Sequence, residues 1–500
     1  MIWVNTRKSD PPQNHNEQHT QTIRKLTQFR QEVRLSCDIR PDVIMELIDA
    51  VCSNTDAKSV VALSLNPCFR HQYTSVYDAI DHFFQASNKD NAADERRGKE
   101  RQLLRLCVPY LAPPKHQKFW LFGLDVTPQP RPFANTLPDR TVVYYPNPVL
   151  SNKPINIGHQ YAALVYFPEK ESAVSPPWAL PLSLRRVQSH EKAATVQAEQ
   201  IQHLLSDETF AFHNQLCVAV VDSALSAITF LGPTKPLNNL VTIARSRSNR
   251  VFYRKPPKSA TRRKKRGHPK WYGQRFDLKD KATWTAPDVM ETVGHTTRRG
   301  RQLTIHLKGW HNLLTRGTRE HAMHDHPFTL IRIDVSDAAG QPVFSHPLWL
   351  TVIGQRRAEI SLKDAWDAYQ RRYDVEHLFR FGKQRLLTTA YQTPDVEHEE
   401  NFWQITQLAY VQLWLARELA ESMPKPWERY LPTLQVGEAS PAMVQRDFLR
   451  IIRQIEPPPA LPKRRGKSPG RAKGDCQKRR TKQKVIKKGQ KAQKRLKSAA

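Results

Sequence analysis

Three acids and three partners carry the chemistry in this sequence. Residues 368–384 read AYQRRYDVEHLFRFGKQ, a helix-like stretch with five basic residues and one glutamate, Glu376, inside the basic run. On an ideal helix Tyr369, Arg372, Glu376 and Lys383 fall within a stripe about 60° wide. A solvated face would scatter its charges, whereas here one carboxylate stands between an arginine and a lysine on a single line. A carboxylate so placed can reach a metal ion while Arg372 and Lys383 reach phosphate oxygens, Arg as a bidentate fork and Lys as a point charge. The bland alternative is an exposed (i, i+4) Arg–Glu pair worth about 0.2–0.5 kcal/mol, which leaves Tyr369 and Lys383 unexplained.

Two further acids end apolar runs. LFGLDVT places Asp125, and AVVDSAL places Asp222, immediately after residues that read as buried strands. A charge there is costly unless it is paired or holds a metal. The carboxyl ends of strands are also where open α/β sheets collect ligands. Either aspartate alone reads more simply as a helix N-cap. Together with Glu376 they form an oxygen-only set suited to Mg²⁺, which keeps waters and binds substrate phosphates.

The elements that must position these groups follow from texture. Residues 1–20 are polar and read as disordered, and 21–110 as a small helical domain, either a structural cap or a reader of DNA ends. Residues 111–235 alternate strands and helices around a buried sheet, the first part of an α/β catalytic domain. Residues 236–356 read as a β-rich insertion carrying a basic loop with Arg262, Arg263, Lys264, Lys265 and Arg266. Residues 357–460 return to helices, at about 361–386, 399–422 and 440–455. The tail, 461–500, holds 17 Lys and Arg against one acid, Asp475, and reads as a disordered electrostatic arm.

Charge bounds the partner. The 500 residues carry 78 Lys and Arg against 47 Asp and Glu, a formal +31, which attracts polyanions and above all nucleic acid. Six scattered cysteines with no CxxC pair argue against a zinc site or a disulfide framework. No apolar run approaches the roughly 20 residues of a membrane span, and no signal peptide is evident, so a soluble, cytoplasmic protein is expected.

The spacing Y-x2-R-x3-E-x6-K, met without a gap by Tyr369, Arg372, Glu376 and Lys383, resembles the signature of DDE transposases of bacterial insertion sequences, in the YREK group. Asp125, Asp222 and a long β-rich stretch before the glutamate extend the resemblance over about 118–386. It implies an RNase H-like catalytic domain interrupted by the insertion. It also implies Asp125, Asp222 and Glu376 as catalytic metal ligands for two Mg²⁺ ions, with Mn²⁺ as a substitute. Tyr369, Arg372 and Lys383, with the basic loop, would then hold DNA. The implied partners are terminal inverted repeats and target DNA, bound by a homodimer associated with the nucleoid. Relatives stack a flipped base on an aromatic of the insertion, and Trp271, Trp310 and Trp349 are candidates, with Trp349 the more expected in the core. A domesticated, non-catalytic DNA binder and a stand-alone RNase H-like nuclease are the competing readings.

Overall fold

A computed structural model describes residues 12–88, 90–145, 154–172, 175–257, 270–297, 300–421, 439–456, 463–464, 470, 472–476 and 479–487. These form a mixed α/β structure with ten α-helices and one large mixed sheet. The chain divides into two compact units, 1–110 with 380–481, and 111–379 with 482–500.

The helical unit opens with α1 (Pro12–Leu35), α2 (Pro41–Cys52), α3 (Tyr73–Asp81) and α4 (Ala92–Cys107). Helix α1 takes in residues 12–20, part of the stretch expected to be disordered. In α2 a proline pre-sets the first turn and Asp42 faces the positive helix end, after which VIMELIDAVC is buried throughout.

The second unit is built on strands. After β1 (Trp120–Pro130), β2 (Thr141–Tyr144), β3 (Ile155–Tyr166) and β4 (Leu180–Arg186) come α5 (Ala193–Leu205), β5 (Cys217–Val221), α6 (Ile228–Thr234) and β6 (Leu240–Ser246). Then follow β7 (Val251–Tyr253), β8 (Arg275–Asp277), β9 (Val289–Thr296), β10 (Gln302–Leu313), β11 (Phe328–Asp337) and β12 (Leu348–Gly354). The main sheet runs β2-β3-β1-β5-β6-β12-β11-β10-β9, with β4 also on β3. Strands β1, β5 and β6 are parallel and the others join antiparallel. The stretch 236–356 therefore does not fold apart from the sheet: four of its strands continue it beyond β6, and only β7 and β8 pair separately.

Strand β5, CVAVV, is buried at every position, as expected of a central parallel strand covered on both faces. Gly123 in β1 is dictated by packing, because a Cβ there would stand 2.5 Å from the Phe167 ring. Two helices follow the sheet, α7 (Leu362–Gln370) and α8 (Tyr373–Arg385). One continuous helix was expected over about 361–386, and this is a correction. Across the junction the amides of Arg371, Arg372, Asp374 and Val375 bond three residues back, to Ala368, Tyr369, Arg371 and Arg372. That is a tight 3₁₀-like turn rather than an α-helical one.

The helical unit is completed by α9 (Val396–Leu415) and α10 (Pro441–Ile452). Asp395 caps α9, accepting from the amides of Glu397 and His398, and α9 is buried almost all round from Glu399 onward. No helix among the described residues is long and apolar enough to cross a membrane. All six cysteines are free thiols.

Candidate active site

Sheet register brings the first two acids together. Leu124 of β1 lies opposite Val221 of the parallel strand β5, so the next residues, Asp125 and Asp222, emerge side by side at the carboxyl edge. Val221 is in turn opposite Ala244 of β6, which puts Arg245 at the same level, one strand further on. The side chain of Asp222 makes no helix-capping hydrogen bond, so the N-cap reading of this residue lacks its defining contact. The turn after it is held from β6's side: Arg247 donates to the Ser223 hydroxyl at 3.4 Å and Arg250 to that of Ser226 at 3.3 Å.

The third acid arrives through Arg372, which sits in the turn between α7 and α8. Its guanidinium reaches Asp125 Oδ2 at 3.5 Å with one nitrogen and Glu376 Oε1 at 3.3 Å with another. These are long, single-point contacts rather than a bidentate fork. Its Nε–H is buried and has no hydrogen-bond acceptor among the described residues. Tyr369, at the end of α7 and 3% exposed, has the same guanidinium 5.9 Å from its ring, and Tyr373 has it at 4.8 Å. Burial pushes the Tyr369 hydroxyl up to about 12, so it is a neutral hydrogen-bonding group at physiological pH.

The turn that positions Arg372 is itself pinned. Asp374, buried, accepts from Arg371 Nε at 2.6 Å and pairs with Lys170 at 3.0 Å. Arg371 also donates to the Pro168 carbonyl at 3.0 Å and stacks on Phe167. These contacts clamp the α7–α8 junction to the chain just after β3.

Burial pushes the Asp125 carboxyl up to about 6, with Asp222 and Glu376 adding to the rise. The Val126 amide, at 2.8 Å, and Arg372 act in the opposite direction and do not cancel it. Asp125 is thus a buried carboxyl with two further acids in electrostatic reach and Arg372 opposing them. Among the described residues no three His, Cys, Asp or Glu side chains are grouped so as to hold a metal ion, and Arg372 stands between Asp125 and Glu376. The donor chemistry nevertheless fits a hard divalent cation: all are carboxylate oxygens, and a cation would offset the cost of burying the Asp125 charge.

Lys383 lies two turns after Glu376 on α8, beyond the point where the chain passes into the helical unit. Burial lowers its ammonium to about 8. Arg262, Arg263, Lys264, Lys265 and Arg266 lie outside the described residues. Of the aromatics, Trp310 and Trp349 are core residues at 1% and 3% exposure, whereas Trp271 is 39% exposed and stacks on His324 at 4.0 Å. Arg245 was not anticipated. Its only sequence signal is an arginine ending the apolar run LVTIA, the same pattern that marks the two aspartates.

Residues 38–314 match the family model described as DDE superfamily endonuclease. The chain belongs to this family. No curated protein matches it. Membership makes the protein a nuclease or transposase enzyme acting on DNA, in a family that typically uses divalent metals. The matched span includes Asp125 and Asp222 and ends before Glu376, so the third acid stands on its contact with Arg372 and on the spacing around it.

Proposed function

We propose that this DDE endonuclease is a transposase of the YREK type, from a bacterial insertion sequence, with an RNase H-like catalytic core. The observation that carries the reading is the alignment of Asp125 with Asp222 across β1 and β5, with Arg372 tying Asp125 to Glu376. In this reading water hydrolyses a phosphodiester at the element's end, breaking the P–O3′ bond and freeing a 3′-OH. That hydroxyl then attacks a target phosphodiester, forming one P–O bond and expelling another 3′ oxygen. The three carboxylates would hold two Mg²⁺ ions, or Mn²⁺ in their place, which when bound stabilise charge on the phosphoryl oxygens and acidify the attacking water.

The chain's own groups orient the substrate. Arg372, held by two long contacts, would turn its guanidinium to the DNA backbone, and the rings of Tyr369 and Tyr373 restrict where it can swing. Arg245 adds a second cation beside Asp222, and Lys383 a third along α8. Of the three candidate tryptophans, Trp271 is the one exposed enough to stack an extruded base. Handling two ends at once calls for a homodimer on DNA, bound to the nucleoid in the cytoplasm.

Glu376→Gln tests the reading, since it keeps the side chain's size and removes its charge. It is expected to abolish Mg²⁺-dependent cleavage of element-end DNA while end binding stays near wild type. Full cleavage by this variant would overturn the assignment.

A further inference from the structure

The basic tail was expected to be a free arm, yet part of it is bridged to the edge of the sheet. Ile486 forms a parallel bridge with Thr141 of β2, the edge strand. The Ile486 amide donates to the Arg140 carbonyl and the Gln483 amide to the Asn135 carbonyl, both at 2.8 Å. Arg140, 2% exposed, is itself fixed by donating to the carbonyls of Arg131 and Pro132 at 3.1 Å. The segment KQKVIK, 482–487, thus half-buries Val485 and Ile486 and leaves Lys482, Lys484 and Lys487 exposed, with no acid among them. The same edge exposes aromatics: Phe133 at 92%, two residues before Asn135, and Tyr144 at 65% and Tyr145 at 38%, three and four residues beyond Thr141.

Register locates this edge relative to the acids. Thr141 is opposite Gly158, and Gly158 opposite Pro130, five residues beyond Asp125 along β1. Five residues of strand and three strand spacings, from β1 through β3 and β2 to the segment, put it about 22 Å from Asp125, on its carboxyl side. That is the length of about six base steps of one DNA strand.

We infer that residues 482–487 form an added edge strand that guides DNA, its lysines and the neighbouring aromatics holding the backbone about six nucleotides from the phosphate to be cut. A free tail would bind DNA anywhere along its length; a docked one contacts it at a fixed distance from the site. The inference rests on the reading of the carboxyl edge as the place where DNA is cut.

The test uses the full-length protein with a benzophenone amino acid at position 144 and a labelled DNA duplex. Ile486→Pro removes the N–H that Arg140 accepts and keeps every lysine. It is expected to lower crosslinking at position 144 several-fold while leaving overall duplex affinity nearly unchanged. Replacing Lys482, Lys484 and Lys487 together by Ala should lower the same crosslink and reduce the salt slope of binding by about 2–3. Unchanged crosslinking in Ile486→Pro, or none in the parent protein while it binds duplex, overturns the inference alone. Failure of the parent protein to bind DNA at all overturns the functional reading and this inference together.

Discussion

Two buried arginines, one in each unit, are held in opposite ways. In the helical unit Arg30 on α1 engages both carboxylate oxygens of Asp49, and adds Gln412 at 3.2 Å and Glu456 at 3.0 Å. In the sheet unit Arg372 makes two contacts of 3.3 and 3.5 Å to different acids, one of which, Glu376, is half exposed. Both are almost inaccessible to water, at 5% and 9%. Arg30 has spent its charge on the fold, whereas Arg372 keeps its grip loose. A buried cation that can exchange one acceptor for another is suited to receiving a phosphate; a bidentate buried pair is suited to holding helices together.

The largest effect should come from breaking the tight pair. Arg30→Ala leaves Asp49 buried without its partner and should cost about 3–5 kcal/mol of stability, seen as a large fall in thermal midpoint. Arg372→Ala should lower the midpoint much less than Arg30→Ala does, because its contacts are long and single, and lower the cleavage rate about 10²–10³-fold, the cost of removing one preorganised donor. Equal destabilisation by the two substitutions would erase the distinction.

A smaller effect sharpens the same contrast from the side of the clamp. Asp374→Asn weakens the ties to Arg371 and Lys170 without touching substrate, and should cost about 1–3 kcal/mol. Because the junction then holds Arg372 less firmly, cleavage should fall further than DNA binding. A loss of stability with unaltered cleavage at low temperature would show that the clamp serves folding only.

The smallest effect is a pH dependence. Burial lowers Lys383 to about 8, so its charge is present below that pH and lost as pH rises through it. Its contribution to DNA binding should fade between about pH 7 and 9, and Lys383→Arg, always charged, should remove that fade. The stability sign is the reverse. The unfolded lysine keeps its proton up to its ordinary value, so this group's penalty is full below about 8 and relaxes as pH rises toward 10.5. A pH profile of binding identical in the two proteins would place Lys383 away from DNA.

Much of the candidate site could be read from the sequence because its signals are local. An acid ending a buried run, as at Asp125 and Asp222, is visible wherever the apolar residues are contiguous. The spacing of Tyr369, Arg372, Glu376 and Lys383 is equally a property of the string. The helix break at Arg371 and Arg372 had no such signal. No proline or glycine marks it, and the contacts at the junction come from Lys170 and Pro168, some two hundred residues upstream. Arg245 escaped for a related reason, since one arginine after one apolar run is common until a register puts it beside Asp222.

The sequence by itself determined which candidate donors are present: three carboxylates, their basic neighbours and a net charge that attracts polyanions. Local side-chain identity and spacing suffice for that. Only the tertiary structure decided that Asp125 and Asp222 share one level of the sheet, that Arg372 bridges two acids, and that Ile486 anchors part of the tail to an edge strand. Each of these is a pairing between distant segments, and strand register is set by packing and by hydrogen bonds that no local stretch encodes.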